Sequence, residues 1–123
     1  MTAWSPDQAR KTYSIPHWAA GYFDVDGAGR IVVCPRGKGG PAIALAEAVD
    51  KALAQGANLP LLVRFPDVLG DRLRMLQDAF AQAQADWEYA GGYTAVYPIK
   101  VNQHRGVAGT LAAHAGEIGR AHV

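Results

Sequence analysis

Hydrophobic and polar positions change their period several times along the chain, and each change marks an element. The clearest stripe is Leu69, Leu73, Leu76, Phe80, Ala83 and Trp87, with spacings that alternate between four and three residues. That is one face of an α-helix, expected over 69–87. Leu45, Val49 and Leu53 recur at every fourth position and predict a second helix over 43–55, with Gly56 suited to the position just past its end. Two near-continuous apolar runs, 59–65 and 93–101, read as buried strands. Nearer the N-terminus, Tyr22-Phe23-Asp24-Val25 and Arg30-Ile31-Val32-Val33-Cys34 flank Asp26-Gly27-Ala28-Gly29, a strong hairpin signal. Ser5-Pro6-Asp7 starts a short helix with a cap, a proline in the first turn and an early acid, and that helix ends before Ile15-Pro16. After Asn102-Gln103, Val107, Leu111 and Ala115 return to helical spacing, although Gly106 and Gly109 weaken the helix.

From residue 59 onward the order is strand, helix, strand, start of helix, which is a βαβ unit. The fold class expected is therefore α/β. A helix and hairpin over 1–41 precede the opening of a larger α/β domain over 42–116. The pattern alone leaves a doubly wound sheet and a (β/α) barrel equally open. Composition narrows the functional classes. The chain has 123 residues, half of them hydrophobic, and 12 basic residues against 11 acidic give a net charge of +1. That balance offers no electrostatic case for nucleic acid or an anionic membrane. No apolar run approaches the ~20 residues of a membrane span. Met1-Thr2-Ala3-Trp4-Ser5 lacks the basic-then-apolar order of a secretory signal, so a cytoplasmic location is expected. The single cysteine, Cys34, excludes an internal disulfide and reads as a small buried hydrophobe in a strand. His17, His114 and His122 show no metal-ligand spacing, and no metal site is expected from these residues. The loop Pro35-Arg36-Gly37-Lys38-Gly39-Gly40-Pro41 has glycines and cations that suit an anion nest but lacks the Walker spacing, so it reads as a plain connection.

The run 93–101 carries the one unexpected charge. Strand alternation puts Val96, Pro98, Lys100 and Asn102 on one face, and Ala95, Tyr97, Ile99 and Val101 on a uniformly apolar other face. A lysine near the end of a buried strand either escapes to solvent or sits partly desolvated in a pocket. Desolvation favours the neutral amine, which can attack an aldehyde to form a Schiff base. Pyridoxal phosphate is the cofactor held that way. Pro98 cannot donate to a strand ladder, so the strand either bulges there or has already left the sheet.

The stretch Tyr97-Pro98-Ile99-Lys100-Val101-Asn102-Gln103-His104-Arg105 closely resembles the lysine motif of the biosynthetic arginine decarboxylases. Further resemblance lies in Trp18, in Gly21-Tyr22-Phe23 before the hairpin, in Arg64-Phe65-Pro66-Asp67-Val68-Leu69, and in Gly92-Tyr93 leading to the lysine run. The resemblance implies an N-terminal helix and hairpin followed by the first β-α-β unit of a pyridoxal-phosphate-binding (β/α)8 barrel of the alanine-racemase type. It implies decarboxylation of L-arginine to agmatine and carbon dioxide in polyamine synthesis, by a homo-oligomeric parent enzyme. Lys100 would hold pyridoxal 5'-phosphate, with His104 and Arg64 as further cofactor contacts. The family is also associated with magnesium. Those enzymes are several times longer than this chain, so the chain alone is expected to be inactive; the alternative readings are a small non-enzymatic α/β module that binds a partner through its incomplete sheet, or a fragment of a sister pyridoxal-phosphate amino-acid decarboxylase. The last residues, 117–123, match the translation of a common sequencing adapter (GAG ATC GGA AGA GCA CAC GTC), and they are expected to be adapter read-through.

Overall fold

The computed structural model describes residues 4–114 and 118–120. It is a mixed α/β chain that divides into two compact units between Arg64 and Phe65. In the first unit, α1 (Pro6–Thr12) starts at Ser5, whose hydroxyl accepts the Gln8 N–H at 3.2 Å. That bond satisfies one of the donors a helix start leaves open. The chain then turns through Ser14, at a left-handed φ of 52°, into a second short helix α2 (Ile15–Trp18). The sequence pattern did not reveal α2, because Ile15-Pro16 reads as a stop although proline is equally at home in a first turn.

The hairpin forms as expected, with β1 (Phe23–Val25) antiparallel to β2 (Ile31–Val33) in the register Phe23↔Val33 and Val25↔Ile31. Asp26 organises its turn. One carboxylate oxygen accepts the Ala28 and Arg30 N–H groups, each at 2.9 Å, and the other accepts Arg30 Nε at 2.8 Å. Gly29 supplies the left-handed φ of 82° that the turn needs. The region expected to be all helix over 43–55 begins instead as a strand. β3 (Ile43–Ala44) pairs with β2 on its free side, and α3 (Leu45–Ala54) starts only afterwards. Sheet pairing wins for those two residues because β2 would otherwise leave one edge of buried backbone unpaired. Val33, on the central strand, becomes fully buried. Ala9, Ile15, Ala19 and Val25 form the adjoining core, with Phe23 packed against it. Cys34 lies just past β2 and is half-buried, not inside a strand as expected.

An ion pair ties α1 to β1. The Arg10 guanidinium donates through Nε to one Asp24 oxygen at 2.6 Å and through Nη2 to the other at 3.1 Å. Its hydrogen bond, more than any other influence, holds the Asp24 carboxyl below the usual carboxylate range. A carboxyl whose pKa is lowered on folding adds stability above its unfolded pKa, about 4, and loses it as the pH falls toward the lowered value. Acid titration of the urea midpoint is therefore expected to show a fall below about pH 4, smaller in Asp24→Asn than in the unsubstituted chain. Equal acid dependence in both would show that this pair does not couple to folding.

The run 59–65 is not a strand. No ladder forms along it among the described residues, and Leu59 and Leu62 are exposed. Apolar composition alone does not make a strand where no neighbour accepts its backbone bonds. The second unit begins with α4 (Pro66–Asp86), which starts earlier than the stripe because Phe65 is extended and Pro66 fits the first turn. Leu73 of α4 and Leu111 of α5 (Arg105–His114) are buried, and α4 packs on α5. The two helices approach closely at Gly70, where a Cβ would stand 2.6 Å from the His114 ring. Phe80 stacks on Tyr93 with ring centroids 4.0 Å apart.

The expected strand over 93–101 is shorter, β4 (Ala95–Tyr97). It pairs in parallel with β5 (Ile118–Arg120), Ala95 opposite Ile118 and Tyr97 opposite Arg120. The parallel pair is thus joined through α5, in place of the expected pairing of 59–65 with 93–101 across the long helix. Of the segment expected to be read-through, 117–123, residues 117 and 121–123 lie outside the described residues.

Candidate functional site

Lys100 lies on the connection from β4 to α5. β4 ends at Tyr97, Pro98 follows, and Ile99–Val101 form a single 3-10 turn in which the Val101 N–H donates to the Pro98 carbonyl at 3.1 Å. The structure thus resolves the two readings of Pro98: the chain has left the sheet at that residue. A missing N–H costs nothing where no ladder continues. The alternation that placed Lys100 and Asn102 on one strand face does not extend past Tyr97. Ile99 and Val101, expected to pack beneath the strand, are 50% and 71% exposed. Lys100 is also exposed, so of its two readings this chain shows the one in which the side chain reaches solvent past the strand end.

The exit from the turn is built from side chains. The Asn102 amide oxygen accepts the His104 N–H at 3.1 Å, and the His104 carbonyl accepts the Val107 and Ala108 N–H groups that open α5. His104 therefore occupies the cap position of the helix. Its ring turns back, with Nδ1 accepting the Gly106 N–H at 3.2 Å. That bond assigns Nδ1 as the unprotonated nitrogen and leaves Nε2–H as the donor of the neutral ring. At the entrance, the Tyr97 hydroxyl donates to the Asn102 carbonyl at 3.1 Å. The sequence reading did not single out Tyr97 or Asn102 for this role. An asparagine two residues before a helix cap was the available signal for the second.

Lys100 and His104 share this one connection, whereas Arg64 is the last residue of the first unit and is exposed. An exposed primary amine on a short turn between strand and helix is accessible to a carbonyl compound, and in its neutral form it is a nucleophile. Among the described residues no three of histidine, cysteine, aspartate and glutamate gather as metal ligands. No helix among them is long and apolar enough to cross a membrane.

The structure places Lys100 in an exposed position on the strand-to-helix turn, and comparison with known proteins says what the chain resembles. No protein-family model matches it. It is 75% identical over 117 residues to the biosynthetic arginine decarboxylase of Xanthomonas campestris, a match that takes in 95% of this chain and 18% of that protein. Identity to the biosynthetic arginine decarboxylase of Xylella fastidiosa is 69% over 114 residues, covering 93% of this chain and 18% of that protein. With the Pseudomonas putida protein of the same name it is 48% over 110 residues, 89% of this chain and 17% of that protein. The resemblance to biosynthetic arginine decarboxylases therefore runs through nearly all of this chain, which spans less than a fifth of the length of these relatives.

Proposed function

We propose that the chain is the N-terminal, lysine-bearing segment of an arginine decarboxylase that converts L-arginine to agmatine and carbon dioxide for polyamine synthesis. The observation that carries this reading is the 75% identity over 117 residues to a protein of that name. Pyridoxal 5'-phosphate is the proposed cofactor, and the second unit with its lysine turn is proposed as the opening of a (β/α)8 barrel. The residues of the connection fit the aldehyde end of that cofactor. Lys100 offers a primary amine in an exposed position, and His104 stands at the cap of the following helix with Nε2–H as a donor.

When bound, the cofactor supplies an electron sink for the carbon that loses carbon dioxide. The role of Lys100 is to hold the cofactor through its amine. His104 is assigned a hydrogen bond through Nε2–H, and Arg64 a pairing with anionic oxygen. Magnesium belongs to the complete enzyme on this reading, and none of the described residues is assigned to it. The complete enzyme is a cytoplasmic homo-oligomer, and the 123-residue chain by itself does not turn over arginine. The test is to incubate the complete protein with L-arginine and pyridoxal phosphate and to measure agmatine. Agmatine and carbon dioxide in equal amounts are expected. Product from ornithine or diaminopimelate, with none from arginine, would assign the segment to a sister decarboxylase instead.

A further inference from the structure

The connection that carries Lys100 is closed at both ends by side chains. Tyr97 is the last residue of β4. From there its hydroxyl reaches across the turn to the Asn102 carbonyl at 3.1 Å. The bond joins the residue before the turn to the residue after it, with Lys100 between them. The Val101 N–H to Pro98 carbonyl bond holds the inside of the turn. The Asn102 amide oxygen then fixes the exit by accepting the His104 N–H at 3.1 Å. An unrestrained connection of this length would let the lysine Cα wander, and a flexible four-carbon stem would add to that freedom. Closing the turn at both ends fixes the point from which the stem departs, and reactive groups gain rate when their supports are held in this way.

We propose that Tyr97 and Asn102 are positioning residues for the Lys100 amine, clasping the strand-to-helix turn so that the amine meets the carbonyl of pyridoxal phosphate from a fixed origin. The inference rests on the reading of Lys100 as the cofactor lysine. Tyr97→Phe removes one oxygen and leaves the ring and the strand in place. Asn102→Ala removes the acceptor of the His104 N–H. The two variants break different bonds, so either decides the matter if the other does not fold.

The complete protein, stripped of cofactor, is mixed with pyridoxal phosphate and quenched with borohydride at timed intervals. The modified Lys100 peptide is then quantified by mass. Tyr97→Phe and Asn102→Ala are each expected to slow capture on Lys100 by about tenfold and to lower kcat while KM for arginine stays unchanged. Tyr93→Phe removes a hydroxyl from the same run but outside the clasp, and is expected to capture at the unsubstituted rate. Capture at that rate by both clasp variants would overturn the proposal. Trapping on a different lysine in the unsubstituted protein would overturn the reading of Lys100 itself, and the inference with it, so the two failures are told apart.

Discussion

Lys100→Ala, introduced into the complete protein, is expected to lower arginine decarboxylation by about 10³-fold or more, the order lost when a covalent nucleophile is removed from a unit that acts together. The expectation is sharp because the side chain is exposed and sits on a turn held by bonds from other residues. Its loss therefore leaves no cavity and breaks none of those bonds. Lys100→Arg is expected to be nearly as inactive. It keeps the positive charge, but a guanidinium stays protonated and is not a usable amine nucleophile. The pair of variants thus separates a need for charge from a need for a primary amine. Circular dichroism should show both variants folded, while agmatine formation is lost. Activity in Lys100→Ala within tenfold of the unsubstituted enzyme would remove the lysine from the chemistry altogether.

The largest expected effect on stability lies in the first unit, at Val33. Its side chain is fully buried, on the strand that pairs with β1 on one side and β3 on the other. Val33→Ala deletes two methyl groups, worth about 1.6 kcal/mol in transfer alone. A cavity in a core whose neighbours are already fixed by sheet pairing adds to this, for a total of about 2 to 3 kcal/mol. A unit of this size has only a few kcal/mol in hand, so a large share of its stability goes. Urea denaturation followed by tryptophan emission reports it, since Trp4 and Trp18 belong to this unit. An unchanged midpoint would mean that the sheet relaxes to fill the space, and that Val33 is not the keystone its burial implies.

Much of this was legible in the sequence, for reasons that differ by element. The hairpin was readable because Asp26 and Gly29 impose a local geometry that needs no help from distant residues. The long helix was readable because its stripe repeats over many turns. What escaped were the features decided by partners. Ile43 joins a strand because β2 has an open edge, which no window around residue 43 contains. The run 59–65 is apolar enough for a strand but has no ladder. β4 stops at Tyr97 because Pro98 cannot extend a ladder, and a proline in an apolar run is equally compatible with a bulge and with departure from the sheet. For the site, a lysine after a short apolar run is weak by itself. The neighbours that hold its turn, Tyr97 and Asn102, act through a backbone carbonyl and a cap, and neither leaves a charge or a period to notice.

Gly70 has a further consequence. A glycine inside a helix costs about 1 kcal/mol against alanine, and here it makes room for the His114 ring, which its own bond to the Thr110 carbonyl at 2.9 Å keeps from swinging aside. A larger residue at 70 therefore meets the His114 ring first, and either that ring gives up its bond to Thr110 or a smaller residue stands at 114. His114 closes the same helix that His104 caps, so a change at this joint would reset the angle of the shaft from whose far end the lysine turn hangs.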